Sequence, residues 1–342
     1  MSEIKVSKLT NRAGTGAPDL SQGVKISGTA STLLAPTRTE SATEPTSPSN
    51  GDTWYDTDND TYDVYINDEW KRFIGEGGGA VSWTVDVSDI SYDSVSFSVS
   101  SQDVGSGSIA FNSDGTKMYM VGNANDTIYQ YSLSTGFDLS TASYDSVTFS
   151  VSQDTSPQDV TFNSDGTKMY VIGATSDTAY QYSLSTAFDL STASYDSVSF
   201  SVSSQEATAR CLVFNSDGTK MYVVGSSNDT VYQYSLSTGF DLSTASYDSV
   251  SFSINSQVPN PRSIAFNPDG TKMYAIGAGN DTLYQYSLST GFDVSTASYD
   301  SLSFDVSSQD HNPGAMIFNS DGTKAYMIGG TNDTVYQYST GL

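Results

Sequence analysis

The sequence predicts an all-β fold, a five-bladed β-propeller, and three observations predict it. The segment SYDSVSFSV recurs with small changes, placing equivalent tyrosines at Tyr92, Tyr144, Tyr195, Tyr247 and Tyr299, with steps of 52, 51, 52 and 52 residues. Each copy holds four short runs of alternating character, rich in β-branched and aromatic residues, and no stretch shows helical periodicity. Residues 83–342 number 260, five repeats of 52. Repeated four-stranded antiparallel units of this length are the mark of propeller blades; a β-solenoid is the second reading, disfavoured because its coils are usually shorter.

The four runs are strands A to D: SIAFN, KMYMVG, TIYQYSLS and a last run of the SVSFSVS type. Strands A and B are joined by FN-S/P-DGTK, starting at Phe111, Phe162, Phe214, Phe266 and Phe318, where the Asp-Gly pair supplies the positive φ of a tight hairpin. Strand C contains YQYS, starting at Tyr129, Tyr180, Tyr232, Tyr284 and Tyr336, and leads through LSTGFDLSTAS to strand D. The 51-residue step falls between Tyr144 and Phe162, in a D-to-A connection, where loops tolerate a deletion.

The phase of the repeat predicts how the ring closes. The fifth copy stops after its strand C, while Trp83–Ser100 ends in a D strand that precedes any A strand. Segment 91–100 is therefore expected to complete the last blade, with Tyr92, Val95, Phe97 and Val99 against Val335, Tyr336 and Tyr338, leaving no open strand edge. The chain then enters the ring at the broken C-D connection, so an anchor in residues 1–82 lies beneath the A-B/C-D face.

That face is nearly identical in every copy, down to one lysine per A-B hairpin: Lys117, Lys168, Lys220, Lys272 and Lys324. The D-A loops on the opposite face diverge: DVGSGS, DTSPQD, EATARC, VPNPRS and DHNPGA. They hold both arginines of the repeat region, Arg210 and Arg262, the single His311, the single Cys211 and Glu206, and the candidate binding set adds Asp103, Asn260 and Asn312. Arg210 and Arg262 occupy one position in adjacent blades, so they can converge at the channel mouth on an anionic or sugar-like group. Pairing with neighbouring carboxylates such as Glu206 and relaxed constraint on exposed loops account equally for the pattern.

Composition excludes several classes. Fourteen Lys and Arg against 39 Asp and Glu give a net charge of -25, which opposes nucleic acid and anionic lipid as partners. One cysteine leaves no intramolecular disulfide, and no run of 18 apolar residues suggests membrane insertion. Met1–Leu9 lacks the apolar run of a secretory signal. The five B-C aspartates, Asp126, Asp177, Asp229, Asp281 and Asp333, recur before every strand C and read as turn caps that bond their own backbone rather than as a cation ring. Asp56, Asp58 and Asp60 resemble the first ligands of a Ca²⁺ loop, but the glycine at loop position 6 and the distal glutamate are missing, so a polar hairpin is expected and no metal or cofactor. With one histidine as general base, no catalysis is expected.

Residues 1–82 carry seven Lys and Arg against twelve Asp and Glu and no 52-residue repeat. Residues 1–50 combine short strand-like pieces, EIKVSKL and GVKIS, too small to fold without a partner chain, with a linker over Pro36–Asn50. A three-strand meander over 51–75, with Trp54, Tyr65 and Trp70 as its core, and a glycine-rich hinge over 76–82 follow.

The opening MSEIKVSKLTNRAGTGAPDLSQGVKISG, with its I-x-V start, GTGAP and G-V-x-I-x-G, resembles the N-terminal segment of phage tail-fibre and related virion proteins, particularly of marine cyanophages. The module at Pro48, Gly51, Asp52, Trp54, Tyr55, Asp56, Thr57, Tyr65 and Trp70 is similar to a small β unit of the same fibres. The repeats resemble propeller repeats of phage and environmental proteins and, distantly, lactonase-type PDG-K-x-Y-V repeats, whose metal is held by Glu, Asn and similar ligands at the channel, whereas this repeat region has one Glu and one His, in different blades. The resemblance implies a virion protein assembled in the host cytoplasm and then extracellular: a homotrimer joined to other virion proteins through residues 1–50, with the propeller contacting a host receptor or glycan. A capsid or tail decoration without receptor role, and a bacterial surface or secreted binding module, are the alternatives.

Overall fold

The computed structural model describes residues 83–342 throughout and, among the first 82 residues, the backbone of five strands. The chain divides into two units, Met1–Val81 and Ser82–Leu342. The second unit is a five-bladed propeller of four-stranded antiparallel sheets. Blade 1 runs outward as Ser106–Phe111, Lys117–Gly122, Thr127–Leu133 and Ala142–Ser150. Blades 2 to 4 repeat this over 157–201, 209–253 and 261–305. Blade 5 consists of Pro313–Phe318, Lys324–Gly329 and Thr334–Ser339, and its outer strand is Ser91–Ser98.

The closure is the expected one. Tyr338 stands opposite Tyr92, Gln337 opposite Val95, Tyr336 opposite Ser96 and Val335 opposite Phe97. Val99 lies just past the strand and its N–H donates to the Asp333 carbonyl at 2.8 Å. The connection over 151–156 is one residue shorter than those over 202–208, 254–260 and 306–312, so the deletion sits in a loop.

The burial of each strand follows from its place in the blade. Strand B is sandwiched between neighbouring sheets and reads as a continuous apolar run, as in Met118–Val121, all fully buried. Strand D lies at the rim with one wet face, and its burial alternates. The core is a set of inter-blade layers: Tyr119, Val121 and Ile128 of blade 1 pack on Met169, Val171 and Tyr182 of blade 2. Each such aliphatic side chain contributes about 1.5–3 kcal/mol on leaving water.

Polar groups fasten blade to blade. The Asp145 carboxylate accepts from Lys117 Nζ at 2.8 Å and from Gln130 Nε2 at 2.8 Å, which turns Gln130 Oε1 toward blade 2, where the Leu190 N–H donates to it at 3.0 Å. The same relay uses Asp196, Asp248 and Asp300 in the next three blades. In blade 5 the carboxylate comes from the N-terminal strand: Asp93 accepts from Lys324 at 2.6 Å and Gln337 at 2.9 Å, and Gln337 receives the Leu139 N–H of blade 1. A second stitch runs from a strand B tyrosine hydroxyl to a phenylalanine carbonyl in the following blade, Tyr119 to Phe188 and Tyr326 to Phe137 among them.

Trp83–Ile90 replaces the C-D connection that blade 5 lacks. Val85 O accepts from Tyr274, and the Val87 N–H reaches Gln285. In the other blades a phenylalanine ring covers the hairpin glycine, as Phe137 covers Gly115, which has φ +70° and where a Cβ would come within 2.3 Å of that ring. Trp83 takes this role over Gly322, and its Nε1–H donates to the Ser320 carbonyl. Residue 83 therefore enters the propeller on the A-B/C-D rim.

In the first unit, one sheet orders its strands as Ile4–Val6, Glu69–Gly75, Thr61–Ile66, Thr53–Asp56 and Arg38–Ser41. Residues 53–75 make an antiparallel meander with Tyr65 opposite Trp70. Ile4–Val6 pairs in parallel with Phe73–Gly75 of the same chain. Arg38–Ser41, inside the stretch read as a linker, is a strand parallel to Thr53–Asp56. The hinge over 76–82, the GVKIS piece and the side chains of Trp54, Tyr65 and Trp70 lie outside the described residues.

The relay makes the fold acid-sensitive. Burial of Asp93, Asp145, Asp196, Asp248 and Asp300 works to raise their pKa, but bonds from lysine, serine and glutamine outweigh it and hold each below the ordinary 3.8. A depressed folded-state pKa adds stability above the unfolded value and loses it as pH falls through the folded value. The thermal midpoint is thus expected to fall below about pH 4. Asp93→Asn and Asp196→Asn should each cost about 1–2 kcal/mol at neutral pH, by loss of a charge-assisted bond, and each should flatten the acid dependence. A normal Asp93→Asn beside a destabilised Asp196→Asn in thermal unfolding would contradict the closure network.

Candidate functional site

The inner strands carry an irregularity that aims side chains into the channel mouth. Pro157 stands opposite Gly173 while Asp159 stands opposite Ile172, so Gln158 is an extra residue, a β-bulge. The same shift falls at Arg210, Arg262 and Gly314, and in blade 1 between Ser106 and Ile109, around Gly107. Bulging frees these residues from the pleat and turns Gln158, Arg210 and Arg262 toward the mouth on the D-A/B-C face. Gly107 and Gly314 leave space there. At Gly107 a Cβ would come within 2.6 Å of the Gln158 carbonyl.

The result is a cavity of about 140 Å³ lined by the two arginines, the amides of Gln158, Asn123 and Asn312, and glycines. It contains no carboxylate. Arg210 Nη1 donates to Gln158 Oε1 at 2.6 Å and its Nε to Ser226 Oγ at 3.4 Å. The Arg262 Nε–H is buried and has no partner. Burial, with the Arg210 charge added, pushes the Arg262 pKa down to about 10. Burial also lowers that of Arg210, against an opposing pull from the Glu206 charge.

Of the sequence candidates, the structure brings Arg210, Arg262 and Asn312 together and places the rest elsewhere. Asp103 and Glu206 are buried inside the loops: Asp103 accepts the Ala124 and Asn125 N–H groups, Glu206 those of Thr208 and Ser227. Asn260 holds a left-handed turn at φ +57° and donates its N–H to Asp229. His311 is 77% exposed and sits 3.2 Å from Asp281, outside the mouth. Gln158, Asn123, Gly107 and Gly314 were not singled out in the sequence, although Gly107, Gln158 and Gly314 share the repeat position of the arginines.

The B-C aspartates act differently from the turn caps expected. All five have positive φ, and their carbonyls accept from the residue that follows strand D. The carboxylates of Asp177, Asp229 and Asp333 then reach the D-A loop, accepting from Ala209, Asn260 and Gly105. Pro157, Pro261 and Pro313 have no N–H at the Ala209 position; Asp229 takes the preceding Asn260 N–H instead, but the equivalent N–H groups of Ser156 and Asn312 go to Asp154 and Asp310, and Asp126 and Asp281 each keep one buried oxygen without a partner.

Below the mouth, Ser108, Asp159, Cys211, Ser263 and Ala315 form one layer at equivalent positions, facing a cavity of about 290 Å³ that the first four help line. Asp159 accepts from the Ser108 hydroxyl and, at 2.8 Å, from the Leu212 N–H. Burial raises the pKa of Asp159 and of the Cys211 thiol, so the thiol is not activated as a nucleophile. Among the described residues no three His, Cys, Asp or Glu side chains form a metal cluster. Asp58 and Asp60 lie outside the described residues, and only the backbone of Asp56 is described.

A ring-closed β-propeller with one repeated rim and one distinct channel mouth is a domain of binding type. The chain belongs to the olfactomedin-like domain family, which it matches over residues 86–291. No curated protein matches it. Among solved structures, a protein of unknown function from Desulfotomaculum acetoxidans shares 14% identity over 66% of this chain and 63% of its own, with a TM-score of 0.41. A candidate 6-phosphogluconolactonase from Bacteroides uniformis shares 17% over 65% and 63%, at 0.43. A protein from Lactobacillus plantarum shares 14% over 78% and 70%, at 0.40. This chain thus spans less than two thirds of the first two.

A desolvated guanidinium with an orphaned Nε–H beside a second one destabilises the free protein. Arg262→Gln is therefore expected to raise stability by about 0.5–1 kcal/mol in denaturant unfolding at neutral pH. A loss of similar size would mean that Arg262 supports the fold instead.

Proposed function

We propose that this chain is a virion appendage protein of tail-fibre type, whose propeller is the head that contacts the host surface. Residues 1–50 join it to other virion proteins, the assembly is a homotrimer, and its destination is the virion. The reading rests on the opening residues, on the fibre-like module over 48–70, and on one structural observation: the two rims differ in kind. The A-B/C-D rim, where residue 83 enters, repeats one lysine–aspartate pair in all five blades. The opposite rim holds the side chains that differ between blades and gathers two arginines at its centre. A head held from the first rim presents the second.

The role is binding rather than catalysis. The lone histidine lies outside the mouth, beside Asp281, and the thiol of the inner layer is buried with its pKa raised, so the described residues offer no activated nucleophile paired with a histidine. A net charge of -25 disfavours nucleic acid and membrane adsorption. The expected result from light scattering is a mass three times the 36.5 kDa of the chain, and a monomer once residues 1–82 are removed. A full-length monomer would remove the fibre reading and leave a surface or secreted binding module.

A further inference from the structure

Residues 83–342 contain five lysines and two arginines. Every lysine is ion-paired with an aspartate at 2.6–2.8 Å. Neither arginine forms an ion pair among the described residues, and both face one cavity. Arg210 is pinned by Gln158, whereas the Arg262 side chain makes no hydrogen bond there and keeps a buried, unpaired Nε–H. Such an arrangement leaves two desolvated guanidinium groups with no carboxylate in the cavity walls, and the missing partner is an anion.

Size and field narrow the class. About 140 Å³ is below the usual range of roughly 300–1,000 Å³ for whole small-molecule sites, so the cavity takes one group and the rest of the ligand lies across the mouth. A planar carboxylate or a tetrahedral sulfate ester fits the guanidinium fork. The net charge of -25 repels densely charged polymers such as nucleic acids, which favours an isolated acid on a mostly neutral sugar chain.

We propose that the channel mouth binds a single anionic oxo group, a carboxylate or a sulfate ester, carried by a sparsely charged surface polysaccharide, with Arg262 as its principal ligand and Arg210 as the second. This rests on the receptor-head reading for its biological setting, but the binding site is tested without it. Titration calorimetry on the full chain at constant ionic strength compares glucuronate, galactose 6-sulfate, glucose and inorganic sulfate. Glucuronate or galactose 6-sulfate should bind and glucose should not, and which acid binds identifies the source. Arg262→Gln should weaken binding about tenfold or more, as expected for one charge-assisted contact, with Arg262→Lys intermediate because it keeps the charge but not the fork.

Binding that is unchanged in both variants, binding of neither acidic sugar, or response to inorganic sulfate alone would overturn the proposal. Arg262-dependent sugar binding by a full-length monomer would sink the fibre and leave the site. A trimer that ignores both sugars would do the reverse.

Discussion

The propeller depends on a carboxylate that orients an amide. In each blade one aspartate of strand D receives a lysine and the Nε2 of a strand C glutamine, and so fixes which end of that amide faces the next blade. Without the carboxylate the glutamine is free to rotate, and a buried backbone N–H in the neighbouring blade loses its acceptor. Five such relays, with five tyrosine–carbonyl stitches, make each sheet a template for the next. The relay also explains why the sequence is so repetitive along one rim: lysine, serine, glutamine and aspartate must recur together or one junction opens.

The relay ties together the two ends of the propeller. Asp93, Val87 and Trp83 are separated from their partners by about two hundred residues of chain, yet they occupy the positions that Asp145, Leu190 and Phe137 hold within a few tens of residues of theirs. Closing so long a loop costs entropy that grows only slowly with length, and the strand pairing and buried tryptophan offset it. Once closed, the ring has no exposed C-strand edge, and the opposite rim is free to vary because none of the relays lies there.

The repeat, the blade count, the register of the closing strand and the loop that carries the deletion were all legible in the sequence, because each follows from counting and from alternation. The convergence of Arg210 and Arg262 was legible as shared repeat position. What aims them was not: a bulge is a change in backbone count against a partner strand, and Pro157, Pro261 and Pro313 at the strand starts are its only trace. The B-C aspartates were misread because their left-handed φ, which turns the carboxylate toward the D-A loop, is not visible in residue order. Asp103 and Glu206 looked like surface acids in variable loops, yet each is the internal acceptor of a turn. The stretch over Pro36–Asn50 read as a linker, whereas its Arg38–Ser41 is a strand that, like Ile4–Val6, adds to an edge of the meander.

The ring closed by its own N-terminal strand is best tested by hydrogen exchange on the intact protein. Alternate amides of Thr334–Ser339 point toward Ser91–Ser98, as those of Thr178–Leu184 point toward Ala193–Ser201. Closure predicts that both sets exchange at similarly slow rates under native conditions. Rapid exchange of the outward amides of Thr334–Ser339, with those of Thr178–Leu184 protected, would contradict it.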